Sequence, residues 1–171
     1  MLRILPIKSI MRSIPDIAVY DAFNRLVLAV EDKSKLGTSS TWAAKMRRNL
    51  LAHDLLPSSP FFLLALPDRF YLWKDVGMTL DLVPPNYEIE PAEFLEPYYQ
   101  ASGVSPTNMS GESFSIIVAS VIGEFMNENF LAKYPNQRWL VDSGLLQAFS
   151  GGSLAIVGFL ALICILGSVD L

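Results

Sequence analysis

The chain contains one cysteine, one histidine and few charges for its length. Cys164 alone cannot build an internal disulfide framework, so the sequence favours a reducing compartment. His53 has no second His or Cys near it, so we interpret it as a helix C-terminal cation or a surface residue rather than a metal ligand. With 18% charged and 51% hydrophobic residues, the 171 residues predict one globular domain plus an apolar element.

Acidic residues are missing from the first 14 positions, and basic residues are concentrated in the first third of the chain. Arg3, Lys8 and Arg12 interrupt short apolar pieces, so this segment lacks the form of a signal peptide. Residues 1–48 hold nine Lys/Arg against four Asp/Glu, whereas residues 49–171 hold four against thirteen. A basic surface attracts a phosphate backbone, which predicts nucleic-acid contacts by Lys35, Lys45, Arg47 and Arg48. The alternative is a solvated helix face.

Charge is also absent from the C-terminal region, where residues 143–169 contain no Asp, Glu, Lys or Arg. A helix of about 20 apolar residues spans the hydrocarbon core of a membrane, roughly 30 Å thick. Residues 149–169 therefore predict a transmembrane helix that anchors the protein by its C-terminal end, with the body on the cytoplasmic side. The densest apolar stretch, 154–166, also suits a core helix of a soluble cytoplasmic protein, so this alternative stays open.

Residues 14–33 carry the pattern most informative about chemistry. Two apolar runs flank the turn-like sequence Asp21-Ala22-Phe23-Asn24, which predicts a β-hairpin. Asp16 lies before the first strand and Glu31 at the end of the second, so the two carboxylates are expected side by side. A divalent metal ion requires such paired oxygen ligands. Lys33 follows Glu31 by two positions and should point the same way, because strand side chains alternate.

This segment resembles the signature of the PD-(D/E)XK nuclease superfamily, which has the restriction-endonuclease-like fold. The matching residues are Pro15-Asp16 and, after a gap of 14 residues, Glu31-Asp32-Lys33. Residues 30–35, 42–45 and 67–74 resemble, more narrowly, uncharacterised and mostly cyanobacterial members. The resemblance implies that Asp16, Glu31 and the backbone carbonyl of Asp32 bind Mg²⁺ or Mn²⁺, and that Lys33 orients or activates the attacking water. It also suggests Lys45 as a further charged residue near the metal.

The ends of the chain depart from that family. Its members place a helix and a first strand before the Asp-bearing hairpin, but only 14 residues precede Pro15 here, enough for one short edge strand over 4–10. We therefore expect a truncated or remodelled member. A partner subunit is another source of the missing strand, which would make the protein a homodimer.

The remaining pattern completes an α/β prediction of a mixed sheet flanked by helices. The expected domain, 1–148, comprises a core over 14–75, an irregular acidic Pro-rich connector over 75–110 and a packing helix over 111–133, N-capped by Ser110. A helix over 41–53 follows the first hairpin, and a second hairpin follows that helix. Its first strand, Phe61–Leu66, is apolar throughout, which predicts burial on both faces. Tyr71 and Trp73 are interpreted as core or edge residues.

Two functions follow as hypotheses. The first is a membrane-tethered, metal-dependent DNA endonuclease that hydrolyses phosphodiester bonds. The second is a non-catalytic membrane-anchored protein that keeps a degenerate nuclease scaffold for binding or assembly. Metal binding by Asp16 and Glu31 separates them.

Overall fold

Two β-hairpins joined by a helix form the centre of the molecule, as the sequence predicted. In the computed structural model, which describes residues 14–157, β1 (Ile17–Tyr20) and β2 (Leu26–Asp32) form the first hairpin and α1 (Ser40–Ala52) follows it. The second hairpin consists of β3 (Phe61–Leu66) and β4 (Arg69–Lys74). The turn of the first hairpin is held by the Asp21 carboxylate, which accepts hydrogen bonds from the backbone N–H groups of Phe23 and Arg25.

The six described strands form one mixed sheet in the order β5-β4-β3-β2-β1-β6, where β5 is Tyr87–Ile89 and β6 is Ser153–Ile156. β2 and β3 run parallel because α1 carries the chain back between them, and the other neighbouring pairs are antiparallel. Every residue of β3 is buried, which confirms the prediction of a strand covered on both faces.

Each face of the sheet supports its own apolar core. On one face, α1 packs its Ala43, Leu50 and Leu51 side chains against a cluster that includes Tyr71 and Trp73. The other face is covered by α2 (Ala92–Ser102), α3 (Gly111–Phe125) and three short helices, α4 (Phe130–Lys133), α5 (Trp139–Asp142) and α6 (Leu145–Ala148). Tyr71 and Trp73 are therefore core residues, as predicted.

The acidic segment after the second hairpin is more ordered than the sequence suggested. Instead of an irregular connector over 75–110, the structure has strand β5 and helix α2. Phe94, Leu95 and Tyr99 of α2 are buried, and this apolar face outweighs the cost of Pro97 within the helix. The prediction overlooked that face because proline and glutamate dominate the segment.

The packing helix begins where predicted but ends early. The Ser110 hydroxyl accepts a hydrogen bond from the backbone N–H of Ser113, and the predicted apolar face of α3 is buried. The helix stops at Phe125 rather than at residue 133, and residues 130–133 form the separate helix α4.

The start of the predicted C-terminal helix is a strand. β6 pairs antiparallel with β1, placing Ile156 opposite Ile17 and satisfying the outer backbone groups of β1. Gly152 leads into this strand, and a Cβ there would collide with the Tyr20 carbonyl oxygen. Residues 149–156 are thus removed from the predicted helix over 149–169. Its part over 158–169 lies outside the described residues, as does the edge strand predicted over 4–10. No helix within residues 14–157 is long and apolar enough to cross a membrane.

Candidate functional site

The register of the first hairpin sets Asp16 opposite Glu31. Ile17 pairs with Val30, and one further step of this antiparallel register aligns the two acidic residues on the same face of the sheet. Glu31 is 6% exposed, and the carboxyl group of Asp16 lies close enough to raise the pKa of Glu31. The structure therefore brings together the two carboxyl groups that the sequence singled out.

Lys33 completes this group from the next position on the same face. Its Nζ donates a hydrogen bond to Glu31 Oε2 at 3.1 Å, and its side chain is 40% exposed. The Lys33 backbone N–H donates to the carbonyl oxygen of Ala65 at 3.1 Å, which ties the residue to β3. An ammonium group thus stands between a buried carboxylate and solvent.

Burial and crowding of the acidic groups shape the electrostatics of the site. Burial, together with the hydrogen bond and charge of Asp16, raises the pKa of Glu31 to about 8, and Lys33 only partly offsets this. Burial lowers the pKa of Lys33, but the carboxyl groups of Glu31, Asp16 and Asp32 outweigh it and the net shift is upward. Such a pair of crowded carboxyl groups gains most from a nearby cation.

The Asp32 side chain lies on the opposite face of the sheet. Ser115 of α3 donates its hydroxyl to Asp32 Oδ1 at 2.5 Å, and Asp32 Oδ2 is buried with no hydrogen-bond partner among the described residues. Burial raises the pKa of Asp32 to about 6, with the Ser115 hydrogen bond opposing the shift. The Asp32 backbone faces the site, because its N–H donates to Asp16 Oδ2 at 3.0 Å.

The donor groups present are of the type that a divalent cation prefers. Asp16 and Glu31 supply two adjacent carboxyl groups, and the backbone carbonyl of Asp32 is the third oxygen that the resemblance implies. Within residues 14–157 there is no group of three or more His, Cys, Asp or Glu side chains arranged to hold a metal ion. The predicted set is smaller than that, since it combines two side chains with one carbonyl.

The basic residues predicted to contact phosphate differ in their exposure. Lys35 and Lys45 are exposed, and Lys35 Nζ lies 5.7 Å from the centre of the Trp42 ring. Arg48 is half-buried. Arg47 is 2% exposed and donates to the carbonyl oxygens of Gly77 at 2.6 Å and Thr79 at 3.4 Å.

Arg47 is therefore a structural residue, and its assignment to a phosphate-binding surface needs correction. Its guanidinium bridges α1 to the loop after β4, which leaves it no exposed surface for a ligand. His53, in contrast, is exposed at the C-terminal end of α1, where the sequence placed it.

Sequence reasoning missed Ser115 and the side chain of Asp32. Strand alternation was sufficient to place the Asp32 carboxylate opposite Glu31, on a face that the apolar pattern of β2 marks as buried. Nothing in the sequence pointed to Ser115, which lies 83 positions away on an apolar helix. Comparisons with protein-family models, curated proteins and solved structures gave no match to this chain.

Proposed function

We propose that the protein is a metal-dependent endonuclease that hydrolyses phosphodiester bonds in DNA at the site formed by Asp16, Glu31 and Lys33. The observation that carries the proposal is the convergence of two carboxyl groups and an ammonium group at one end of adjacent strands. A buried carboxyl group is costly, and a purely structural hairpin end has no need of one beside a second acidic residue.

The order of elements supports a restriction-endonuclease-like fold. A hairpin bearing the acidic residues, a helix and then a strand parallel to the second hairpin strand are the elements that the resemblance implies. β6 occupies the edge beside β1, where the family would place its first strand. The chain itself therefore supplies a strand at this edge of β1, where a partner subunit was the alternative source.

Each residue has a distinct role in the proposed reaction. Asp16, Glu31 and the carbonyl of Asp32 would hold Mg²⁺ or Mn²⁺, which polarises a phosphodiester and makes water more acidic when it is bound. Lys33 donates a hydrogen bond from the solvent side of Glu31, so its ammonium group orients the attacking water and offsets charge on the phosphate. Lys35, Lys45 and Arg48 remain available to contact the nucleic-acid backbone.

Cleavage of supercoiled plasmid DNA tests this function directly. We expect nicking that requires Mg²⁺ or Mn²⁺ and that Glu31→Ala and Lys33→Ala each abolish. The matched controls are Glu88→Ala and Lys133→Ala, exposed residues of the same types outside the site, which should retain activity. Equal traces of nicking in the wild type and in both site variants would identify a contaminant and contradict the proposal.

Calorimetry separates this function from a non-catalytic scaffold. The wild type should bind Mn²⁺, whereas no binding at millimolar Mn²⁺ or Mg²⁺ would favour a protein that uses the fold for binding or assembly alone. Metal binding without cleavage would point to the same alternative.

We propose in addition that the apolar C-terminal segment attaches the protein to a membrane. The support is the absence of charge over residues 157–169, which follow β6 in the sequence. If this is correct, the expressed protein stays in the membrane fraction after an alkaline wash and is released by detergent. Release by the alkaline wash alone would contradict membrane insertion.

A further inference from the structure

The Asp32 carboxyl group is buried and only partly satisfied by hydrogen bonds. It is 7% exposed, and only one of its two oxygens has a hydrogen-bond partner among the described residues, the hydroxyl of Ser115. A buried carboxylate oxygen without a partner lowers stability, and a small neutral side chain would avoid that cost. This carboxyl group therefore lowers the stability of the folded protein.

The backbone of the same residue is joined to the site on the other face. The Asp32 N–H donates to Asp16 Oδ2 at 3.0 Å, and the next N–H, that of Lys33, donates to Ala65 at 3.1 Å. The Asp32 carbonyl is the third oxygen assigned to the cation. A shift of this one residue would consequently disturb Asp16, the carbonyl and Lys33 together.

Ser115 supplies a fixed point for Asp32. It belongs to α3, whose neighbouring Phe114 and Val118 are fully buried in the larger core, so its backbone is held firmly. The hydrogen bond of 2.5 Å from its hydroxyl to Asp32 Oδ1 is short, as expected for a hydroxyl donating to a carboxylate. It links the core on one face of the sheet to the end of β2, where the site lies on the other.

From these contacts we infer that Asp32 and Ser115 are positioning residues, which hold the end of β2 so that Asp16 and Glu31 stay together and face the same cation. Their hydrogen bond, called the strut below, fastens the end of β2 to α3. The bond from the Asp32 N–H occupies one oxygen of Asp16 and stops that carboxylate from rotating away from Glu31. The inference rests on the proposed metal site, but the strut itself exists without metal.

The first test compares serine variants of α3. Ser115→Ala should weaken Mn²⁺ binding in calorimetry by about 10- to 100-fold, the usual cost of losing a group that orients a metal ligand. Ser115→Thr keeps the hydroxyl and should restore affinity to within about 3-fold of the wild type. Ser120→Ala is the matched control, because Ser120 is exposed on the same helix and donates only to the carbonyl of Ile116. Wild-type affinity in Ser115→Ala would overturn the inference.

The second test needs no metal. In the chelator-treated protein, the Asp32 amide hydrogen should exchange at least about tenfold faster in Ser115→Ala than in the wild type, while Ser120→Ala leaves it unchanged. If the wild type binds no Mn²⁺, the proposed function fails and this measurement still decides whether the strut exists. Equal exchange in Ser115→Ala and the wild type would exclude the strut.

Asp32→Ala gives a result that a purely structural role cannot produce. Removing the unpaired buried oxygen should leave the free energy of unfolding unchanged or raise it, yet Mn²⁺ affinity should fall by about 10- to 100-fold. A variant that loses stability and keeps wild-type Mn²⁺ affinity would overturn the inference. This variant also serves if Ser115→Ala does not fold.

Discussion

The chain contains two Pro-Asp pairs beside hairpin strands, and the fold uses them differently. Pro15-Asp16 precedes β1, and the register of the hairpin aligns Asp16 with a buried glutamate. Pro67-Asp68 forms the two-residue turn between β3 and β4, where Asp68 is exposed and accepts a hydrogen bond from the Gly37 N–H at 2.9 Å. One aspartate faces another acid, and the other closes a loop.

The difference shows that a short motif acquires chemistry only through its strand partner. Asp68 lies in a turn, so no residue pairs with it in the sheet. Asp16 lies at the start of a strand, and the register of the hairpin places it opposite Glu31. In the sequence, the Glu-x-Lys motif downstream of Asp16 indicates this strand partner. No such motif follows Asp68. The following predictions test this contrast.

The largest expected effect is on metal binding. Asp16→Asn should weaken Mn²⁺ binding by at least about 100-fold, because it removes a direct ligand. The loss of a group that only orients a ligand already weakens metal binding by about 10- to 100-fold. Asp68→Asn should change the affinity by less than about 2-fold, since Asp68 only closes a loop. Calorimetry on the two variants makes the comparison, and similar losses in both would remove the distinction between the two pairs.

The stability of the metal-free protein should fall as pH rises. The pKa of Glu31 increases from 4.5 to about 8 on folding, so the folded protein retains a proton that the unfolded chain releases between these values. Asp32, with a pKa raised from 3.8 to about 6, adds to the decline at its acidic end. Urea unfolding in the presence of chelator should show the free energy of unfolding decreasing across this window.

Glu31→Gln is the control for that pH dependence. It removes the titration at higher pH, so the decline should end near pH 6, where the contribution of Asp32 is complete. A wild-type curve that is already flat above pH 6 would show that Glu31 is not held protonated by Asp16 and burial.

A smaller effect is expected from the helix between the hairpins. Arg47→Ala should lower the free energy of unfolding by about 2 kcal/mol, since it leaves the carbonyls of Gly77 and Thr79 without their donor. Arg48→Ala, one residue further along α1, should change it by no more than about 0.5 kcal/mol. Urea unfolding distinguishes the two variants. Equal losses of stability would mean that Arg47 contributes no more to the fold than a surface residue.

The smallest expected effect concerns the second Pro-Asp pair itself. Asp68→Ala should lower the free energy of unfolding by about 1 kcal/mol, the typical contribution of one hydrogen bond, because only the bond to Gly37 is lost. Urea unfolding measures this change. A loss several times larger would mean that Asp68 stabilises the fold through more than its one hydrogen bond to Gly37.

Local patterns were sufficient to predict the elements that position the site. The apolar runs around Asp21–Asn24 gave the first hairpin, and the alternation of Glu31 and Lys33 gave their common face. The uninterrupted apolar composition of residues 61–66 gave the buried strand β3. In each case the information lies within a few residues of the element.

Long-range contacts explain what could not be predicted. Arg47 looks like a surface cation until the loop at Gly77 folds over it, and residues 153–156 look like a helix until β1 offers them an open edge. Ser115 meets Asp32 only because α3 crosses the sheet at that point. Local composition does not indicate the loop at Gly77, the open edge of β1 or the crossing of α3 over the sheet.

The pairing of β6 with β1 has a consequence for the order in which the protein is made. The Val157 N–H donates to the carbonyl oxygen of Asp16, so the two ends of the described chain meet beside the first carboxylate. On the ribosome, the first hairpin emerges well before β6, so the outer edge of β1 stays without this partner until residues 153–156 have been synthesised. During that interval the open edge can pair with neighbouring nascent chains. Productive folding therefore depends on keeping newly made copies apart until translation has passed residue 156.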